Sequence, residues 1–202
     1  MPPTAAFYFD LASPLAYLTA ERILHVLPGP AEWRPVLVRE QHGVPRAEIE
    51  RRARELELQP LRWPEPFPFD SSLAMRVATY AASIGRAVPF AQAAFRQAFA
   101  GGHSLENPDF VLIAAAACEM HPAAVLRGAE LRSTAERLAA TTEAAARAGV
   151  TEVPGVVVGE HAFVGEGMLE RTAERMREEP ADGTADTPAD ALTVEWTGSR
   201  ST

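Results

Sequence analysis

A short apolar and aromatic run at residues 5–10, AAFYFD, is followed almost at once by a helix start at Ser13-Pro14, and this junction constrains the fold more than any other feature of the chain. The run has the length and composition of a buried strand. Ser13 suits an N-cap, and Pro14 suits the first helical position because the N–H it lacks has no partner inside a helix anyway. Ala16, Ala20, Ile23, Leu24 and Leu27 then recur at the spacing of one helical face, and Pro28-Gly29-Pro30 ends it. Residues 33–38, WRPVLV, read as a second strand. Strand, helix, strand is the opening of a βαβ unit, which carries a parallel sheet.

From about residue 44 to 148 the pattern changes to at least four helical stretches with no convincing strand. One runs from Asp70 or Ser71 as cap through Leu73, Val77, Ala81 and Ile84. Another carries Phe90, Ala94, Phe95 and Ala98, and a third opens at Asn107-Pro108. Arg51, Arg52 and Arg54 alternate with Glu48, Glu50, Glu55 and Glu57, the signature of a solvated helix face. A final helix over about 129–147 closes at Gly149. Residues 153–158, VPGVVV, and 161–164, HAFV, predict a hairpin turning at Gly159-Glu160, followed by a helix over about 167–178. The acidic, small-residue stretch 179–202 is expected to form a mobile tail.

Composition excludes several classes of function. With 202 residues, 47% of them apolar, the chain buries a core without metal or disulfide staples. All 19 cationic side chains are Arg against 27 carboxylates, a net charge of -8 that argues against nucleic acid as a partner. The single cysteine, Cys118, forbids an internal disulfide and reads as a small buried hydrophobe. The N-terminus lacks a signal-like basic and apolar pair of regions, and no window reaches the roughly 18 apolar residues of a membrane span, so a cytoplasmic location without membrane contact is expected. His25, His42, His103, His121 and His161 show no paired metal spacing, so no metal site is expected.

The segments FYFDLASPLAYL at 7–18, FPFDSSLAMRVATYA at 67–81 and GVTEVPGVVVGEHAFVGEGMLE at 149–170 resemble the DsbA-like superfamily, in the branch that contains 2-hydroxychromene-2-carboxylate isomerase and kappa-class glutathione transferase. The resemblance covers residues 5 to about 178. It implies an α/β, thioredoxin-like fold with an inserted all-helical domain, the thioredoxin-like part being 1–43 and 129–178 and the insertion 44–128. Redox members of the superfamily carry Cys-Pro-X-Cys at the first helix. Here those positions are Ser13, Pro14, Leu15 and Ala16, so dithiol exchange by that route is chemically excluded.

The resemblance further implies that Ser13 donates a hydrogen bond to the thiol of glutathione over the helix N-terminus, where the ionised sulfur is favoured. It implies a cis bond between Val153 and Pro154, with the backbone of Val153 free to hold the cysteinyl group. Where the family has Gly-X-Asp-Arg, this chain has Gly165, Glu166, Gly167 and Met168, and Glu166 is the substitute for holding the γ-glutamyl end. Trp63, Phe67 and Phe69 are candidates for the substrate pocket or for core. Asp10 is expected to support the helix start electrostatically. The implied activity is a glutathione-dependent isomerase or transferase acting on a small aromatic or unsaturated carbonyl electrophile, in a homodimer. The alternatives are a non-catalytic binding protein of the same fold, and the same chemistry with another low-molecular-weight thiol.

Overall fold

The computed structural model describes residues 4–38 and 44–178; the expected tail at 179–202 lies outside the described residues. The elements run β1 (Ala5–Phe9), α1 (Pro14–Val26), β2 (Ala31–Pro35), α2 (Arg46–Glu55), α3 (Ser72–Ser83), α4 (Ala87–Phe99), α5 (Pro108–Ala116), α6 (Pro122–Glu130), α7 (Arg132–Arg147), β3 (Gly155–Val158), β4 (His161–Val164) and α8 (Met168–Glu178). The strands form one mixed sheet of order β2-β1-β3-β4, with β1 parallel to β2 and antiparallel to β3. A helical block thus interrupts an α/β frame, the thioredoxin-like arrangement that the sequence implies.

The alternation of β1 sorts its side chains onto two faces. Phe7 and Phe9 stack at 5.6 Å and meet Trp33 edge-on at 5.0 and 5.8 Å. Phe9 also reaches Phe95 of α4 at 5.8 Å, so this face of the sheet and the helical block share one continuous core. Tyr8 points the other way, into a smaller cluster with Val36, Ala145 of α7 and Val150. Among the described residues, no helix is long and apolar enough to cross a membrane.

Two elements differ from their sequence expectation. The second strand occupies residues 31–35 instead of 33–38, because its ladder with β1 pairs Ala5 with Ala31 and Phe9 with Pro35 and has no partner beyond. Val36 makes one more bond to the Phe9 carbonyl, and then Leu37 donates to the Thr142 hydroxyl and Val38 to the Asp10 carboxylate. The helix expected from 129 is broken at Leu131, which is extended (φ -61°, ψ 134°) between α6 and α7. No Gly or Pro marks that break. The Thr134 hydroxyl secures it by donating to the Gly128 carbonyl at 2.7 Å.

Helix α2 has the solvated face expected of it. It buries only Ile49 and Ala53, while Arg51 and Arg52 bond Glu48 and push its carboxyl down to about 2.

Candidate functional site

The start of α1 is built from its own sequence. Ser13 is the N-cap, extended at φ -90° and ψ 113°, and its Oγ accepts from the Ala16 N–H at 3.2 Å. Its own N–H donates to the Asp10 carbonyl at 3.0 Å. Ser13 is 4% exposed, and among the hydrogen bonds of the described residues its hydroxyl donates none. A buried hydroxyl proton without an acceptor stands at the positive end of a 13-residue helix, beside backbone N–H groups that the helix itself leaves unpaired.

Asp10 braces this corner from behind. It is fully buried; its Oδ1 accepts from Ala12 and its Oδ2 from Val38, both at 2.9 Å. Burial pushes its carboxyl above the ordinary carboxylate range, and the bonds from Val38, Ala12 and Ser71 only partly oppose that. Its role is architectural: it ties the end of β1 to the start of α1 and to the chain leaving β2.

In front of Ser13 lies a cavity of about 690 Å³. Its walls come from the α1 start, from Leu37 and Val38, from Ile49 of α2, from Phe67 to Ser72, and from Thr151 to Val153. Ser13, Val153, Phe67 and Phe69 therefore share one cavity. The Val153-Pro154 bond is cis, and Pro154 is buried. Among the backbone hydrogen bonds of the described residues outside helices and strands, none uses the N–H or C=O of Val153.

Three of the candidate residues, Pro154, Trp63 and Glu166, are absent from the cavity wall. Trp63 is absent from the cavity wall; it packs behind Phe67 at 5.0 Å, donates to Glu50 at 2.7 Å, and opens onto a separate cleft with His103 and Phe110. Arg46 lies over its ring at 4.8 Å, so Trp63 fastens α2 to the aromatic segment. Glu166 is also absent from the wall. Its carboxylate is 83% exposed and sits 3.8 Å from Arg52, while Arg171 holds the surrounding turn through the carbonyls of Val164 and Glu166.

Two carboxylates on the described wall, those of Glu152 and Asp70, were missing from the sequence reading of the site. Glu152 precedes Val153 directly, and that adjacency was the available signal. Asp70 was legible only as one of two alternative caps of α3; the N-cap position is Ser71, and the Asp70 carboxylate just before it accepts from the Ser72 N–H at 2.8 Å and is lowered below its usual value, chiefly by the Ser72 hydroxyl. Cys118 is buried, donates to the Ala114 carbonyl at 3.3 Å and takes no part in the cavity.

A cysteinyl thiol fits these residues. A sulfur in the cavity mouth would meet a hydroxyl donor and a helix N-terminus, and its backbone would find the free groups of Val153. The γ-glutamyl end of glutathione is not matched by Glu166, which is turned to Arg52.

No curated protein matches the chain. Among solved structures, a 2-hydroxychromene-2-carboxylate isomerase is similar with a TM-score of 0.74 at 18% identity, over 87% of this chain and 95% of that one. A probable DsbA oxidoreductase from Streptomyces coelicolor is similar with a TM-score of 0.69 at 17% identity, over 87% and 89%. The cytosolic disulfide reductase DsbM from Pseudomonas aeruginosa, solved with GSH, gives 0.61 at 11% identity, over 87% and 96%. At these identities the likeness concerns the fold. Residues 4–177 match the family described as the DSBA-like thioredoxin domain, and with nearly the whole described chain inside that match, this protein belongs to that family.

Proposed function

We propose that the protein is a thiol-dependent isomerase or transferase acting on a small aromatic or unsaturated carbonyl electrophile, with glutathione or another low-molecular-weight thiol as the sulfur source and no dithiol redox step. The observation that carries this reading is the buried Ser13 hydroxyl, whose proton has no acceptor at the N-terminus of α1 in the wall of a cavity. When bound, such a thiol supplies a sulfur nucleophile that adds to an electron-poor carbon and either leaves again after bond rotation or stays as a conjugate.

The residues have separate tasks. Ser13 donates to the sulfur and, with the helix dipole, favours its ionised form. Val153 holds the cysteinyl backbone through its free N–H and C=O. Leu15, Ile49, Phe67 and Phe69 supply apolar surface that keeps water from the reacting carbon. With Ala at the position of the second thiol, no resolving sulfur is present, which supports reversible addition over disulfide exchange.

Calorimetric titration near neutral pH, with glutathione and separately with cysteinylglycine, tests this. Saturable binding is expected, and the bound thiol should show a lowered pKa by thiolate absorbance. Ser13→Ala should fold, losing about 0.5–2 kcal/mol as a missing cap, and should raise the pKa of the bound thiol. Binding of cysteinylglycine alone would assign the chemistry to a thiol without a γ-glutamyl group. Binding of neither would overturn the catalytic reading in favour of a non-catalytic binding protein, and an unchanged thiol pKa would remove Ser13 from the mechanism.

A further inference from the structure

The turn that delivers Ser13 to the cavity has three backbone N–H groups after Asp10, and each has an acceptor. Ala12 donates to the Asp10 carboxylate at 2.9 Å and Ser13 to the Asp10 carbonyl at 3.0 Å, so both of these bonds close within the turn. Leu11 alone of the three reaches out of it. Its N–H donates to the thioether sulfur of Met75 at 3.2 Å, 64 residues further along the chain. Neither Leu11 nor Met75 has exposed surface, so water does not stand in for this acceptor.

Met75 belongs to the first part of α3, one turn beyond Ser71, whose carbonyl accepts from the Met75 N–H at 2.8 Å. Ser71 and Ser72 line the same cavity as Ser13. One helix of the helical block therefore carries a piece of the cavity wall at its start and, a turn later, the acceptor that holds the turn before Ser13. The bond from Leu11 to Met75 ties the Ser13 corner to that wall. A thioether is a weak acceptor without proton or charge. A leucine of similar volume would fill its space and leave the Leu11 N–H unpaired, a loss that packing does not repair.

We infer that Met75 is a positioning residue for the thiol site: its sulfur sets the turn at residues 10–13 and, through it, the place of the Ser13 hydroxyl in the cavity wall. This rests on the proposed role of Ser13, on which Met75 acts only through the backbone of Leu11 and Ala12.

The test compares Met75→Leu with the wild type in two ways, by amide exchange in NMR without any thiol and by the pKa of bound glutathione or cysteinylglycine. The Leu11 amide should exchange about tenfold faster in Met75→Leu, the effect of losing one buried hydrogen bond. The Ala16 amide, which donates to Ser13 Oγ, should exchange faster with it, while amides of α7 keep their rates. The bound thiol should have a raised pKa, and Met75→Leu should add nothing to that rise in a Ser13→Ala background. An unchanged Leu11 amide would overturn the inference. So would a thiol pKa that Ser13→Ala raises and Met75→Leu leaves in place, or rises from the two substitutions that sum. Wild-type protein that binds no thiol overturns the reading of Ser13 instead, and Met75 is then judged on the Leu11 and Ala16 amides alone. If Met75→Leu fails to fold, norleucine in place of methionine throughout the chain removes the same acceptor at nearly unchanged shape and should give the faster Leu11 exchange. Selenomethionine, which keeps an acceptor, should leave that amide as in the wild type.

Discussion

A carboxyl group with no exposed surface sits at the corner where β1 becomes α1. Asp10 holds two backbone N–H groups, one from Ala12 and one from Val38, 28 residues beyond Asp10 itself, and burial raises its pKa above 3.8. The native protein therefore keeps this proton at pH values where the unfolded chain has already lost it. Native protein binds more protons than unfolded protein across that window, so this group's contribution is greatest in acid and is lost as pH rises from 3.8 through the raised value. Asn at this position is neutral at every pH and can accept from only one of the two N–H groups. Urea midpoints of the wild type and Asp10→Asn, followed upward from acid, should show the wild-type advantage shrinking across that window. A constant or growing advantage would contradict a raised pKa.

At the scale of elements, the absence of a side chain lets α6 and α3 approach each other. A Cβ on Gly128 of α6 would lie 2.3 Å from Cδ2 and 2.6 Å from Cγ of Tyr80 on α3. In an isolated helix Gly→Ala is worth about 1 kcal/mol of stabilisation. Here overpacking of about 1–3 kcal/mol opposes it, because the clash involves the root of the ring and not a flexible tip. Gly128→Ala should destabilise the protein in urea unfolding. The same substitution in a Tyr80→Ala background should stabilise it. Stabilisation in both backgrounds would mean that the two helices separate without cost.

The whole molecule shares its main core between sheet and helical block. Phe9 of β1 packs on Phe95 of α4, and Tyr17 of α1 stacks with Phe99 at 5.6 Å. A boundary drawn at the ends of the helical insertion would cut through this packing. Denaturant unfolding should therefore be one transition, with far-ultraviolet circular dichroism and tryptophan fluorescence coinciding, Trp33 reporting on the sheet and Trp63 on the helical block. An earlier loss of helical signal, with Trp33 still buried, would show two independent units.

What could be read without the structure was local. The Ser13 cap, Pro14 at the first helical turn, the Asn107 cap and the Gly159-Glu160 hairpin depend on neighbours a few residues away, and such interactions leave their residue types in the sequence. The family resemblance extended that reading to the fold and to the pairing of Ser13 with Val153. The tertiary structure alone decided the end of β2, where β1 has no more backbone to offer, and the unmarked break at Leu131, secured by Thr134. It also turned Trp63 and Glu166 away from the cavity and put Asp70 and Glu152 on its wall. The physical reason is the same in each case: a cavity wall is assembled from segments far apart in the chain, and the direction of each side chain is set by packing partners that no local pattern names.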